Sequence, residues 1–212
     1  LDADLSGFTE FCSSLKSSTI VSLSLRKCYL GPQALDLLSD AIKFIGAIAH
    51  LALGSNPIGD KAMIPLLDTL KDIPLISFDI SKTNCGVSTA SKLAELLTDE
   101  TKFRGALTSI NCLANKFGEE DLATLLTAIE GTSIRSLCGL TEGHTTADFS
   151  KQNLKPIDCK IIAAEFGFRG FIGALTSVNC LHNPLGEGVH IIIKVFEETP
   201  RLRTLCGFEE GV

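Results

Sequence analysis

Leu51-Ala-Leu53-Gly-Ser-Asn56-Pro-Ile58 sets two apolar residues on alternate positions, then a lone amide, then a closing apolar residue. Alternation over so short a span reads as a half-buried strand. The amide reads as its corner, where backbone groups leaving the strand need a hydrogen-bonding partner. The same frame returns as Leu23-Ser-Leu25-Arg-Lys-Cys28-Tyr-Leu30, Phe78-Asp-Ile80-Ser-Lys-Thr83-Asn-Cys85 and Ile110-Asn-Cys112-Leu-Ala-Asn115-Lys-Phe117. It returns twice more, as Ala147-Asp-Phe149-Ser-Lys-Gln152-Asn-Leu154 and Val178-Asn-Cys180-Leu-His-Asn183-Pro-Leu185. Cys28, Asn56, Thr83, Asn115, Gln152 and Asn183 thus form a predicted ladder of corner residues.

Counting Leu137 and Leu205 as further lead residues, successive units are spaced by 28, 27, 32, 27, 41 and 27 residues. Between the frames the apolar period changes to that of a helix. Helices are expected from Gly31-Pro32-Gln33 through Ile42, over about 59–71 and 87–98, and from Gly118 through Ile129. Others are expected from Pro156 through Phe166, over about 187–198, and at 5–16. The acidic start Glu119-Glu120-Asp121 suits the positive end of a helix dipole. A longer period lies over the short one, for 103–139 and 171–207 match at 17 of 37 positions. The Gly of each Phe-x-Gly-Ala is expected to end a helix in a left-handed turn, with the Phe packed beneath it. Leu137-Cys-Gly139-Leu140 lacks a corner amide and lies only 10 residues before Ala147, which predicts a hairpin-like excursion through Glu142-Gly143-His144.

The frame and its spacing resemble leucine-rich repeat proteins of the ribonuclease-inhibitor-like class. The resemblance covers nearly the whole chain and implies an α/β solenoid: a right-handed βα superhelix with a concave parallel sheet and convex helices. It implies one domain over 1–212, of about six to seven units with an irregular unit at 134–174, cut from a longer array. Protein recognition is the usual task of the class, so the expected function is a non-catalytic scaffold or assembly subunit. Two alternatives come from the same resemblance: a regulator of a small GTPase, as in Ran GTPase-activating proteins, and an immune or pathogen recognition module.

Composition narrows the field. Net charge is −6 with no basic cluster in the linear sequence, which disfavours nucleic acid. No run of about 18 apolar residues is present, which disfavours membrane insertion. Of the eight cysteines, Cys112 and Cys180 fill inward strand positions and Cys159 lies in a helical pattern, as buried reduced thiols would. An intracellular, cytoplasmic protein is therefore expected. No Cys-x-x-Cys, Gly-x-Ser-x-Gly or phosphate-loop motif occurs, so neither catalysis, metal nor cofactor is expected.

The outward strand positions carry the partner hypothesis. Apolar residues at the fourth frame position gather in the second half, as Leu113, Leu140, Leu181 and Phe208, beside His144 in the irregular loop. Exposed together, they would form a stripe for a protein partner. Tyr29 is the only tyrosine and Trp is absent, so the aromatic content reads as core.

Overall fold

The computed structural model describes residues 4–167 and 171–209; the side chains of 171, 172, 208 and 209 lie outside that description. The chain forms two compact units, Leu1–Ile134 and Arg135–Val212, and the division falls within the irregular 134–174 segment.

In the first unit, strands β1 (Ser22–Ser24), β2 (His50–Ala52), β3 (Ser77–Asp79) and β4 (Ser109–Asn111) form one parallel sheet in chain order. Each joins the next through helix: α2 (Pro32–Ile42), α3 (Asp60–Leu70), then α4 (Val87–Thr98) with the short α5 (Lys102–Ala106); α1 (Ser6–Leu15) precedes β1 and α6 (Glu119–Ile129) follows β4. Parallel neighbours require such crossovers. The register pairs Leu23, Leu51, Phe78 and Ile110 across the sheet, and all four are buried. Leu25, Leu53, Ile80 and Cys112, two residues on, also lie in the core. They close over the inner helix faces, whose Leu35, Leu38, Met63, Leu66, Leu93 and Leu97 are fully buried. Pro32 begins α2, where a missing N–H costs nothing.

The second unit holds β5 (Thr146–Asp148), β6 (Ser177–Asn179), β7 (Thr204–Leu205) and β8 (Phe208–Glu209), with α7 (Pro156–Gly167) and α8 (Val189–Glu197). β5, β6 and β7 are parallel; β7 and β8 run antiparallel. Cys206 and Gly207, both at positive φ, make the two-residue turn between them. Paired positive φ values match the twist of a tight hairpin.

Several expectations change. No strand element forms at Leu137 among the described residues. The excursion beyond it is a plain turn in which His144 N–H donates to Thr141 O (3.3 Å), with Gly143 at φ 86°. Gly46 and Gly105 do not reach the left-handed region, and Gly105 lies inside α5. Phe103 does pack beneath its junction, fully buried and edge-on to Phe78 at 6.0 Å. Phe44 is 62% exposed, with the Lys16 ammonium 5.4 Å from its ring centre.

Candidate functional site

The corners after the strands shape the surface beside the first sheet. The fifth frame residue turns left-handed each time: Lys27, Ser55, Lys82, Ala114, Lys151 and His182 have φ of 54–60°. Such backbone is unfavourable without glycine, by about 1–3 kcal/mol per residue, and needs compensation nearby. Asn56 supplies it across two coils. Its Oδ1 accepts from Cys28 N and Leu30 N (3.0 Å each), and its Nδ2 donates to Leu25 O (2.8 Å) and Leu53 O (2.7 Å). Asn115 does the same for Thr83 N, Cys85 N, Ile80 O and Cys112 O. Asn183 does so for Gln152 N, Leu154 N, Phe149 O and Cys180 O. Cys28, Thr83 and Gln152 play the smaller part: their side chains bond back to Arg26 O, Ile80 O and Asp148 O of their own frames. Three asparagines thus each fasten the corner before their own.

The uncovered face of the first sheet carries a charged pair spanning three strands. The Arg26 guanidinium pairs with Asp79, whose other oxygen accepts from Ser81 N (2.9 Å). Gly54 lies between them, just past the middle strand. A Cβ there would come within 2.8 Å of Ser81 Oγ and 2.9 Å of the Asp79 carboxylate, so the bare backbone leaves Asp79 and Ser81 their room. His50 Nδ1 and Ser77 Oγ are bonded across the same face at 2.8 Å. Beyond the strand ends stand Lys27 and Lys82. Partial burial, then the charges of Lys27 and Arg26, push the Lys82 ammonium below its ordinary pKa. Tyr29, 78% exposed, stands at the same corner and corrects the reading of the aromatics as core alone.

The predicted apolar stripe does not form as expected. Leu113 is 1% exposed and Leu140 6%, so neither presents a surface to a partner. The reason is strand length. β4 ends at Asn111, so Leu113 lies past the point where alternation sets side-chain direction. Leu140 follows no strand; its N–H donates to Ser136 Oγ (2.9 Å) in a curled turn. Cys138, in the same turn, is buried as well. Leu181 is 43% exposed. His144 is exposed, with its ring nitrogens 3.3 Å from Thr141 N and 3.2 Å from Thr141 Oγ1. The side chain of Phe208 lies outside the described residues.

Glu165 of α7 has a role that the frames did not signal. Its Oε2 accepts from Leu137 N (2.6 Å) and Cys138 N (3.1 Å), and so serves the turn that has no corner amide. The residue is fully buried, and among the described residues Oε1 has no hydrogen-bond partner. Burial raises its pKa above the ordinary 4.5, against the lowering effect of Ser136 and the two backbone N–H groups. A solvated groove of about 810 Å³ lies between α4 and α6, lined by Ala94, Thr98, Ala123 and Thr127 with Arg104 at its edge. Among the described residues no cluster of His, Cys, Asp and Glu is suited to a metal, and no helix is long and apolar enough to cross a membrane.

No protein-family model matches the chain. It is similar to "NACHT, LRR and PYD domains-containing protein 5" of Bos taurus, at 25% identity over 194 residues. The match covers 88% of this chain and 16% of that protein, so the chain spans a small part of the relative's length. The relative's name includes LRR, for leucine-rich repeats.

Proposed function

We propose that this chain is a leucine-rich repeat module of the ribonuclease-inhibitor-like class, stacking as one α/β solenoid, that binds a protein partner without catalysing a reaction. It would serve as a scaffold or as a subunit of a larger assembly, in the cytoplasm. The observation that carries the reading is the asymmetry of the first sheet. One side is sealed by helices, while Ser22, Ser24, His50, Ala52, Ser77, Asp79 and Asn111 on the other remain half-buried or exposed. Folding does not require that row of short polar residues to be left open, whereas a partner can read it through hydrogen bonds and close backbone approach. Leu181 and His144 are the candidate partner-binding residues of the second unit, and within each unit the corner residues hold the strand ends.

The test is photo-crosslinking in cells of the source organism, with a photoreactive residue replacing Ala52 on the sheet face or Asp68 on a helix. A discrete protein adduct at position 52 and none at 68 is the expected result. No adduct at 52, or the same adducts at both positions, overturns the reading. A second reading, a sensing module within a larger receptor, is favoured by the similarity to a protein whose name joins LRR to NACHT and PYD domains.

A further inference from the structure

We infer that the strand-end ridge formed by Arg26, Lys27 and Lys82 is a docking site for a short acidic segment of a partner protein. The inference rests on the protein-binding reading above and names the chemistry of what binds.

Charge distribution is the first argument. The strand-and-corner segments Ser22–Leu30, His50–Ile58, Ser77–Cys85 and Ser109–Phe117 contain four cations, Arg26, Lys27, Lys82 and Lys116, and one carboxylate, Asp79. The whole first unit, residues 1–134, has eleven Lys and Arg against sixteen Asp and Glu. Subtracting the segments leaves seven cations against fifteen carboxylates for its helices and connections. The strand-and-corner segments thus carry a net positive charge, almost free of carboxylates, within an acidic unit. In the second unit the matching segments Thr146–Leu154 and Ser177–Leu185 hold one cation, Lys151, and one carboxylate, Asp148.

The second argument is local compensation. Asp79 is already engaged by Arg26 and by Ser81 N–H. Among the described residues no carboxylate forms an ion pair with Lys27 or Lys82. Lys82 stands close enough to Lys27 and Arg26 that, after its partial burial, their charges disfavour its protonated form. Crowded like charges raise the energy of the free surface, and an anion laid between them relieves it. Backbone geometry holds them there, since both residues are fixed left-handed by N–H bonds to the next coil, Lys27 to Gly54 O (3.1 Å) and Lys82 to Leu113 O (3.0 Å).

Size selects the ligand. Adjacent strands lie about 4.8 Å apart, so Lys27 and Lys82, two strands apart, are separated by about 10 Å of ridge. An extended peptide rises about 3.3 Å per residue, and three or four residues cover that span. A nucleic acid would run past the ridge over a surface dominated by carboxylates, within the range of about 8 Å at which charges are felt in physiological salt. Tyr29, flanking the ridge, offers a flat, half-polar face of the kind enriched at protein contacts.

Amide-resonance titration of the purified chain with hexaglutamate, hexaglutamine and hexathymidylate at low ionic strength tests the inference. Hexaglutamate is expected to shift the amide resonances of Lys27, Ser55 and Lys82, and hexaglutamine is not. The double variant Lys27→Glu/Lys82→Glu should weaken binding at least about tenfold, while Lys151→Glu in the second unit leaves it unchanged. Should the reversed variant fail to fold, Lys27→Gln/Lys82→Gln removes the charges without introducing new ones and is expected to lose most of the binding. The inference is overturned if hexaglutamate causes no shift, if binding survives loss of both lysines, or if hexathymidylate binds more tightly. A protein trapped at position 52 alongside inert hexaglutamate removes the acidic ligand and spares the protein-binding reading. Absence of any trapped protein removes that reading itself.

Discussion

Residues 103–115 and 171–183 share the string Phe-x-Gly-Ala-Leu-Thr-Ser-x-Asn-Cys-Leu-x-Asn, one in each unit. Their backbones agree at the corner. Ala114 and His182 are both left-handed, and Asn115 and Asn183 make the same four bonds to their own and the preceding coil. Burial does not agree. Leu113 is sealed at 1% exposure while Leu181 stands 43% exposed, and Ser109 is buried where Ser177 is half-buried. The helix over Lys102–Ala106 in the first copy is a 3-10 turn over Phe171–Ala174 in the second. Local sequence therefore sets the turn and its hydrogen bonds; the surroundings set which side chains meet water.

The most severe way to break the comparison is to place a charge at the shared leucine. Leu113→Asp is expected to destabilise the chain by more than about 4 kcal/mol, through an unpaired buried carboxylate. Leu181→Asp should cost less than about 1 kcal/mol. Urea unfolding of both variants checks this, and equal losses would show that the two sites are not distinct.

Next in size is the shared asparagine. Asn115→Ala strands Thr83 N–H, Cys85 N–H and two carbonyls in a buried corner, at about 3–4 kcal/mol. Asn183 is only half-buried, so water can replace part of what its truncation removes, and about 2 kcal/mol is expected. Thermal melts of the two variants should rank in that order.

Glu165 sharpens the contrast between two kinds of corner. An amide both donates and accepts, and stays neutral at every pH; a carboxylate only accepts, and its charge depends on pH. Its folded pKa is raised, so the stability gained from its protonated form is complete below the ordinary 4.5 and is lost as pH rises through the folded value. Stability of the native chain should therefore fall with rising pH across that window. Glu165→Gln should flatten the slope and keep both N–H bonds at Leu137 and Cys138, whereas Glu165→Ala should cost about 2 kcal/mol below the ordinary 4.5 and progressively less as pH rises. Denaturant titrations at a series of pH values separate the three.

The smallest effect belongs to Gly54. Gly54→Ala pushes a methyl against Ser81 and Asp79 and should displace the pairing with Arg26. Arg26 is 44% exposed, so the loss should stay below about 1 kcal/mol, readable as altered amide shifts at Asp79 and Ser81.

Much of this architecture was legible in the chain. Pro32, Val87 and Pro156 open helices where the apolar period begins, and α2, α3, α4, α6 and α7 keep to within a residue or two of the expected spans. Such features depend on neighbours three and four residues apart. The short helix α5 was missed, although Thr101 signals its start by accepting from Arg104 N–H (3.0 Å). Glu165 gave no local signal, since its partners lie 27 and 28 residues away. Nor did the basic ridge, because Arg26, Lys27 and Lys82 meet only once parallel strands set two frames side by side. The error at Leu113 and Leu140 came from carrying strand alternation beyond three-residue strands.

Because an asparagine in every second coil completes the bend of the coil before it, the smallest interchangeable part of this chain is a pair. Excising Asp60–Gly118 as a block removes Thr83 together with Asn115 and leaves Asn56 with Cys28. Excising a single coil would instead part a bend from its fastener. Duplication or engineered shortening should thus succeed in even steps and fail in odd ones, a parity rule written by one amide reaching backwards.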